Sequence, residues 1–156
     1  KPDLVIADEP TSALDVVVQR TVAQTLLAIK DGMGLSMLMI GHDLGLLAQV
    51  SDRVAVMYAG RLVEVAPVAE LIARPRHPYT QALVASVPTL DRAAAETEAA
   101  TGITHDPHDP PPGCIFHLRC PMAQGICRAE DPPWQGDRAA GVACHFADLA
   151  TPVEEA

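Results

Sequence analysis

Aromatic side chains are scarce in this 156-residue chain: two Phe, two Tyr and one Trp, 3% of residues against 49% hydrophobic. Its core must therefore be packed mainly from aliphatic groups. Lysine is scarcer, with Lys1 and Lys30 the two present. The 11 basic residues face 20 acidic ones and form no basic patch, which argues against a nucleic-acid partner, since phosphate contacts need grouped Lys and Arg. No apolar run approaches the roughly 18 residues of a spanning helix. No signal-peptide pattern precedes the first apolar run, and both observations suit a cytosolic chain. There is no GxxxxGK(S/T) loop, hence no cradle of backbone N–H groups for phosphates, and no Gly-Gly pair. The chain opens at Lys1 directly against an apolar run, as the downstream piece of a longer protein would.

The net charge of −9 is unevenly spread. Residues 1–90 carry 9 acids and 7 bases, residues 91–112 carry 5 and 1, and residues 113–156 carry 6 and 3. The acidity thus gathers in a segment rich in Ala, Glu and Thr that ends THDPHDPPPG, a composition that predicts a flexible linker with a stiff proline end. All four cysteines follow it. Five divisions result: 1–66, 67–90, a linker 91–112, a four-cysteine module 113–146 and a tail 147–156.

Along the first division, Leu4–Ala7 is an unbroken apolar run that suits a strand buried on both faces, as in the parallel sheet of an α/β protein. Asp15 fits the N-cap of a helix to about Lys30, with Val18, Val22, Leu26 and Ile29 on one face and Gly32 and Gly34 at its end. Leu35–Ile40 predicts the next strand, and Asp43–Val50 a short helix. Arg53–Met57 and Arg61–Ala66 flank Tyr58-Ala59-Gly60, a hairpin signal. Pro67–Arg74 and Pro78–Val87 read as two further helices, each starting at a proline.

The most chemically informative stretch is LVIADEPTSALD, residues 4–15. Ligands of parallel α/β sheets bind beyond the carboxyl ends of the strands, where Asp8 and Glu9 stand. Two acids leaving a buried strand are costly unless a cation or proton relay occupies them; the plainer alternative is a capping pair after an ordinary strand. His42 stands 33 residues after Glu9, at the end of the next expected strand. A lone histidine there is more simply a satisfied polar group.

Taken together, ADEPTSALD and LMIGHDL resemble the Walker B segment, D-loop and switch histidine of ATP-binding cassette (ABC) ATPases. The segments SDRVAVMYAGRLVEVAP and RPRHPYTQALVASVP, with the cysteine tail, resemble the ATPase subunits of oligopeptide/dipeptide and nickel permeases; the likeness runs from about Leu4 to Phe146. It implies an α/β fold, the C-terminal part of a P-loop nucleotide-binding domain with a small cysteine-containing extension. It further implies that Asp8 holds magnesium of Mg-ATP, commonly through water, and that Glu9 polarises the attacking water. His42 would contact the γ-phosphate, and Ser12 and Asp15 would belong to a loop that crosses a dimer interface. Magnesium asks for hard oxygen ligands, and phosphoryl transfer depends on positioning and charge stabilisation. The partners implied are permease subunits in the membrane and a second ATPase subunit, at the cytoplasmic face of the inner membrane. Gly41 departs from the Thr or Ser common in the family. The phosphate loop and the LSGGQ-type signature, which the family places upstream, are absent, so the chain alone is expected neither to bind ATP well nor to hydrolyse it. Its HPYT segment, read locally, is a capped turn between helices and is assigned no chemistry.

Cys114, Cys120, Cys127 and Cys144 follow C-x5-C-x6-C-x16-C. Disulfides are disfavoured in the cytosol, and four thiolates suit tetrahedral zinc or an iron–sulfur cluster. The spacing lacks the short C-x2-C of zinc ribbons. The resemblance points to a [4Fe-4S] cluster; Zn2+ and plain thiols or disulfides remain alternatives. His105, His108, His117 and His145 are spare imidazoles, able to substitute as ligands or simply solvated. A bound group of this kind would staple a module too small for its own core. A non-enzymatic, metal-stapled interaction module is the competing reading of the whole chain, and an ABC ATPase of another transporter family a third.

Overall fold

The computed structural model describes residues 2–87 and 109–147 and divides into two units, Lys1–Asp52 and Arg53–Ala156. The first is of α/β type. Strand β1 (Leu4–Asp8) leads through helix α1 (Val16–Met33) to β2 (Ser36–Ile40), which pairs with β1 in parallel, and helix α2 (Leu44–Val50) follows. A parallel pair needs a crossover connection, and α1 supplies it. The Asp15 carboxylate accepts the N–H groups of Val17 and Val18, each at 3.0 Å, satisfying two of the donors a helix start leaves open. α1 runs one residue past Gly32 and stops at Gly34 in the left-handed conformation, where Leu35 N–H returns to the Lys30 carbonyl at 3.1 Å. Asp43 caps α2 by accepting Leu46 N–H.

Two expectations for this unit need correction. β1 is not buried on both faces: Leu4 is 53% and Ile6 62% exposed, and on β2 Leu38 and Ile40 are 50% and 46% exposed. The sheet has two strands, and no other described element of this unit covers the face these four residues share. The apolar face of α1 is likewise only partly engaged. Val22 and Leu26 are half-buried and Ala23 is buried, whereas Val18 and Ile29 are exposed. The helix packs through a small residue rather than through its whole stripe.

In the second unit β3 (Arg53–Tyr58) and β4 (Arg61–Pro67) form the expected hairpin. Its two-residue turn, Ala59-Gly60, has positive φ at both positions (48° and 76°), the twist that suits a tight hairpin. Helices α3 (Val68–Ala73) and α4 (Pro78–Ala85) follow; beyond the undescribed residues 88–108 come α5 (Gly125–Ala129), β5 (Trp134–Gly136) and β6 (Gly141–Ala143). The sheet order is β3-β4-β6-β5, all antiparallel. The hairpin thus shares one sheet with strands of the cysteine-bearing segment, Glu64 lying opposite Val142 and Val65 opposite Gly141. Most of the expected linker, and the tail from residue 148, lie outside the described residues.

All five aromatic residues fall in this unit. Phe116 is fully buried, with Tyr58, Tyr79 and His77 around it at centroid distances of 5.0, 5.5 and 5.6 Å. Inclined ring pairs at such separations are favourable beyond the area they bury. Val54, Val56, Val63, Leu71, Ile115 and Val142 supply the aliphatic remainder of the core.

Two polar groups in that core fix the RPRHPYT segment. Glu64, 1% exposed, accepts the backbone N–H of Arg76 and of His77, each at 2.9 Å. His77 caps α4, its Nδ1 accepting Tyr79 N–H at 3.0 Å. That bond needs an unprotonated Nδ1, and burial lowers the His77 pKa from 6.5 to about 4. The expected local reading of HPYT as a capped turn is what this arrangement is.

The unfolded chain takes up the His77 proton as pH falls below 6.5, while the folded ring resists until about 4. Stability linked to His77 is therefore complete above 6.5 and lost on acidification through that window, on the order of 3 kcal/mol in all. Urea unfolding followed by Trp134 emission at pH 7 and pH 4.5 is expected to show this loss, and His77→Asn to flatten the dependence. An unchanged pH dependence in the variant would show that another group carries it.

Candidate functional site: a strand-end acid pair and a four-thiol cluster

The parallel register sets Asp8 opposite Ile40, so the residues that follow each strand emerge side by side. Glu9 N–H extends the ladder by one bond, to the Ile40 carbonyl at 2.9 Å. His42, two residues beyond Ile40, then reaches Glu9: Nδ1 stands 3.6 Å from Oε1, with the side chains 79% and 53% exposed. Asp8, exposed, closes the strand beside them. The structure thus brings Asp8, Glu9 and His42 together at one end of the sheet, as an open acidic edge with an imidazole against it. Such an edge can offer oxygen ligands to a hard cation and a base to a water molecule.

Glu9 adopts φ 44°, the left-handed region that a non-glycine residue enters at a cost. The turn it begins is held by Ser12 N–H on the Glu9 carbonyl (3.1 Å), Leu14 N–H on the Thr11 carbonyl (3.4 Å) and the Gln19 amide on Thr11 O (3.3 Å). Ser12 lies exposed within this turn, and Asp15 at its end is the helix cap already described. Space at Gly41 is not limiting: a Cβ there would meet only Leu47 methyls, at 3.9 Å. A Ser at this position would fit, so the departure from the family pattern carries no steric consequence.

In the second unit Cys114 and Cys127 are buried and Cys120 and Cys144 half-buried, all four as free thiols. Their backbone is closely tied. Cys114 N–H donates to the Cys127 carbonyl at 2.8 Å, and Gln135 Nε2 donates to the Cys144 carbonyl at 2.7 Å. Gly113 makes the first contact possible: at φ 74°, a Cβ on it would lie 2.5 Å from the Cys127 oxygen. His117 Nδ1 lies 2.8 Å from the Cys114 carbonyl and His145 Nε2 3.0 Å from the Glu130 carbonyl, so both imidazoles already serve as loop fasteners. His105 and His108 are outside the described residues.

Burial pushes up the pKa of Cys114, Cys120 and Cys144, Cys120 to about 11. For Cys120 the next upward contribution is the charge of Cys114, Cys144 and Cys127. Burial thus disfavours the thiolate form of Cys114, Cys120 and Cys144, and nearby cysteine charge adds to the effect. Among the described residues no three or more His, Cys, Asp or Glu side chains are set to hold a metal ion. That finding bears equally on the zinc and the iron–sulfur alternatives.

The sequence reading passed over two polar elements here. Glu64 looks like an ordinary strand carboxylate until β6 and the 76–77 backbone close over it. Arg61 and Asp131, 70 residues apart, meet at 2.6 Å; no local signal announces such a pair. No described helix is long and apolar enough to cross a membrane.

Residues 63–127 match the family described as the oligopeptide/dipeptide transporter, C-terminal region. Over 149 residues the chain is 47% identical to a probable peptide ABC transporter ATP-binding protein of Sinorhizobium fredii, covering 93% of this chain and 42% of that protein. It is 46% identical over 127 residues to a dipeptide transport ATP-binding protein of Bacillus subtilis, with 81% and 38% covered. A putative peptide import ATP-binding protein of Brucella ovis is 44% identical over 133 residues, with 85% and 42% covered. The chain spans about two fifths of the length of these curated relatives.

Proposed function

We propose that the chain, whose residues 63–127 match the C-terminal region of the oligopeptide/dipeptide transporter family, belongs to that family and carries half of the ATP-hydrolysing site of a peptide importer's energy-coupling subunit. The observation that carries this reading is the meeting of Asp8, Glu9 and His42 at the carboxyl ends of β1 and β2, with Glu9 and His42 3.6 Å apart. In this role Asp8 offers its oxygens to the magnesium of Mg-ATP. Glu9 takes a proton from the attacking water, or orients that water, in line with the γ-phosphate. His42, against the same carboxylate, donates toward the phosphate oxygens and positions Glu9. Ser12 and Asp15 shape the turn that would face a second ATPase subunit. ATP and Mg2+ are thus the working ligands. Permease subunits at the cytoplasmic face of the inner membrane are the further partners.

The chain contains no phosphate-binding loop, so alone it is expected to be inactive. The uncovered apolar face of β1 and β2, with the exposed Val16 and Val17 of α1, supports the view that more polypeptide completes this unit.

The four cysteines favour a second, compatible element. We propose that they hold a [4Fe-4S] cluster, with zinc the weaker alternative. Zinc binds sulfur at about 2.3 Å and so draws its four ligands into mutual contact, whereas four irons spread theirs more widely. Cys114, Cys120, Cys127 and Cys144 are the ligands in this reading. The group would supply positive charge to thiols whose pKa burial raises, and a covalent tie across a small module. Nothing in the site argues for more than this structural role.

The catalytic proposal is tested by grafting the chain into the Sinorhizobium fredii relative in place of the 149 matched residues. Steady-state ATP hydrolysis is expected, and Glu9→Gln is expected to lower kcat by about 100-fold or more while nucleotide still binds. Full activity in that variant would remove Glu9 from the chemistry. The cysteine proposal is tested by anaerobic purification with iron, sulfide and zinc analysis. About four irons per chain, lost in Cys114→Ser, are expected; stoichiometric zinc without visible absorbance, or metal-free protein, would overturn the cluster.

A further inference from the structure

In the second unit a cavity of about 260 Å³ opens beside the Arg61–Asp131 ion pair. That is below the roughly 300–1,000 Å³ of drug-sized sites, so its occupant is small. Leu62, Pro132 and Trp134 are among its apolar lining residues, and the buried His77 and Cys114 line it as well, so it adjoins the four-cysteine site. Because Nδ1 of His77 accepts Tyr79 N–H, the neutral ring carries its hydrogen on Nε2.

The charges at this cavity have an unusual arrangement. Arg61 Nη1 and Asp131 Oδ1 are 2.6 Å apart, and both side chains are about half exposed. Only one guanidinium nitrogen and one carboxylate oxygen enter that contact, so each group retains bonding capacity toward a ligand. A ligand that carries opposite charges close together can meet both members of the pair at once. An α-amino acid is such a ligand, with its ammonium and carboxylate on one carbon; an extended peptide separates them by its whole length. Trp134 and its apolar neighbours then suit an aliphatic side chain.

We infer that this cavity is a binding site for a free apolar α-amino acid, its carboxylate on Arg61, its ammonium on Asp131 and its side chain against Leu62, Pro132 and Trp134. Charge-assisted hydrogen bonds of this kind are the stronger class and set orientation. The inference does not depend on the ATPase proposal: it uses no residue of the first unit, and its test needs no nucleotide.

Trp134 is the single tryptophan of the chain, so its emission reports on the cavity directly. With the 156-residue chain at low micromolar concentration, L-leucine is the probe, and N-acetyl-L-leucine and L-leucinamide each remove one charge from it. A saturable emission change with leucine is expected, weaker by at least about tenfold for either analogue and for Arg61→Gln or Asp131→Asn. Far-ultraviolet circular dichroism confirms that the variants remain folded. No saturable change with leucine, or equal affinity for leucine and both analogues, would overturn the proposal without any variant being needed.

Discussion

A parallel ladder fixes its neighbours along its whole length, and the pairing that starts at Leu4 and Ser36 therefore decides what meets at its far end. At the fifth paired position Asp8 lies opposite Ile40, and the next residues out are Glu9 on one side and Gly41-His42 on the other. A slip of one residue would reverse every side chain on the slipped strand, and Glu9 would no longer find His42. The Glu9 N–H bond to Ile40 O carries the register one step beyond the strands and holds Glu9 in its left-handed turn. Residues 33 positions apart in the chain thereby form one acidic edge, at the place where α/β sheets present their ligands.

The second unit rests on a different device. Its sheet joins two distant stretches of sequence, and Glu64 sits at the seam, opposite Val142 on the neighbouring strand. A buried carboxylate is tolerated only when its oxygens are satisfied, and the N–H groups of Arg76 and His77 do this. The same two contacts seat His77, which caps α4 and stands at the wall of Phe116. One acid thus ties β4, the α3–α4 turn and the aromatic cluster together. The cysteines lie within this framework, Cys114 and Cys127 packing in one cluster with Phe116.

Local elements were legible in the sequence because their signals are local. Asp15 caps the helix it was expected to cap, the short helix expected from Asp43 begins just after it, Gly34 ends α1, and Ala59-Gly60 turns the hairpin. The strand-end position of Asp8, Glu9 and His42 followed from two apolar runs that each end in polar residues. What sequence could not supply was burial. An apolar run says that a strand wants cover, not that cover is present; Leu4, Ile6, Leu38 and Ile40 remain exposed in the described unit. Nor could it reveal pairings between distant segments, such as Glu64 with the 76–77 backbone or Arg61 with Asp131. The cysteine spacing told of a shared purpose but not of its geometry, since 16 residues between Cys127 and Cys144 fix no distance.

The strand-end carboxylates are the centre of the account, and their occupancy by a metal is its most direct test. In the grafted protein, Mn2+ standing in for Mg2+ can be titrated with ATP present and followed by electron paramagnetic resonance. Asp8→Asn is predicted to weaken Mn2+ binding by about tenfold or more, one hard oxygen ligand having been neutralised, with ATP binding in the absence of metal unchanged. Equal Mn2+ affinity in the wild type and the variant would contradict the assignment of the β1 terminus as the metal-binding edge.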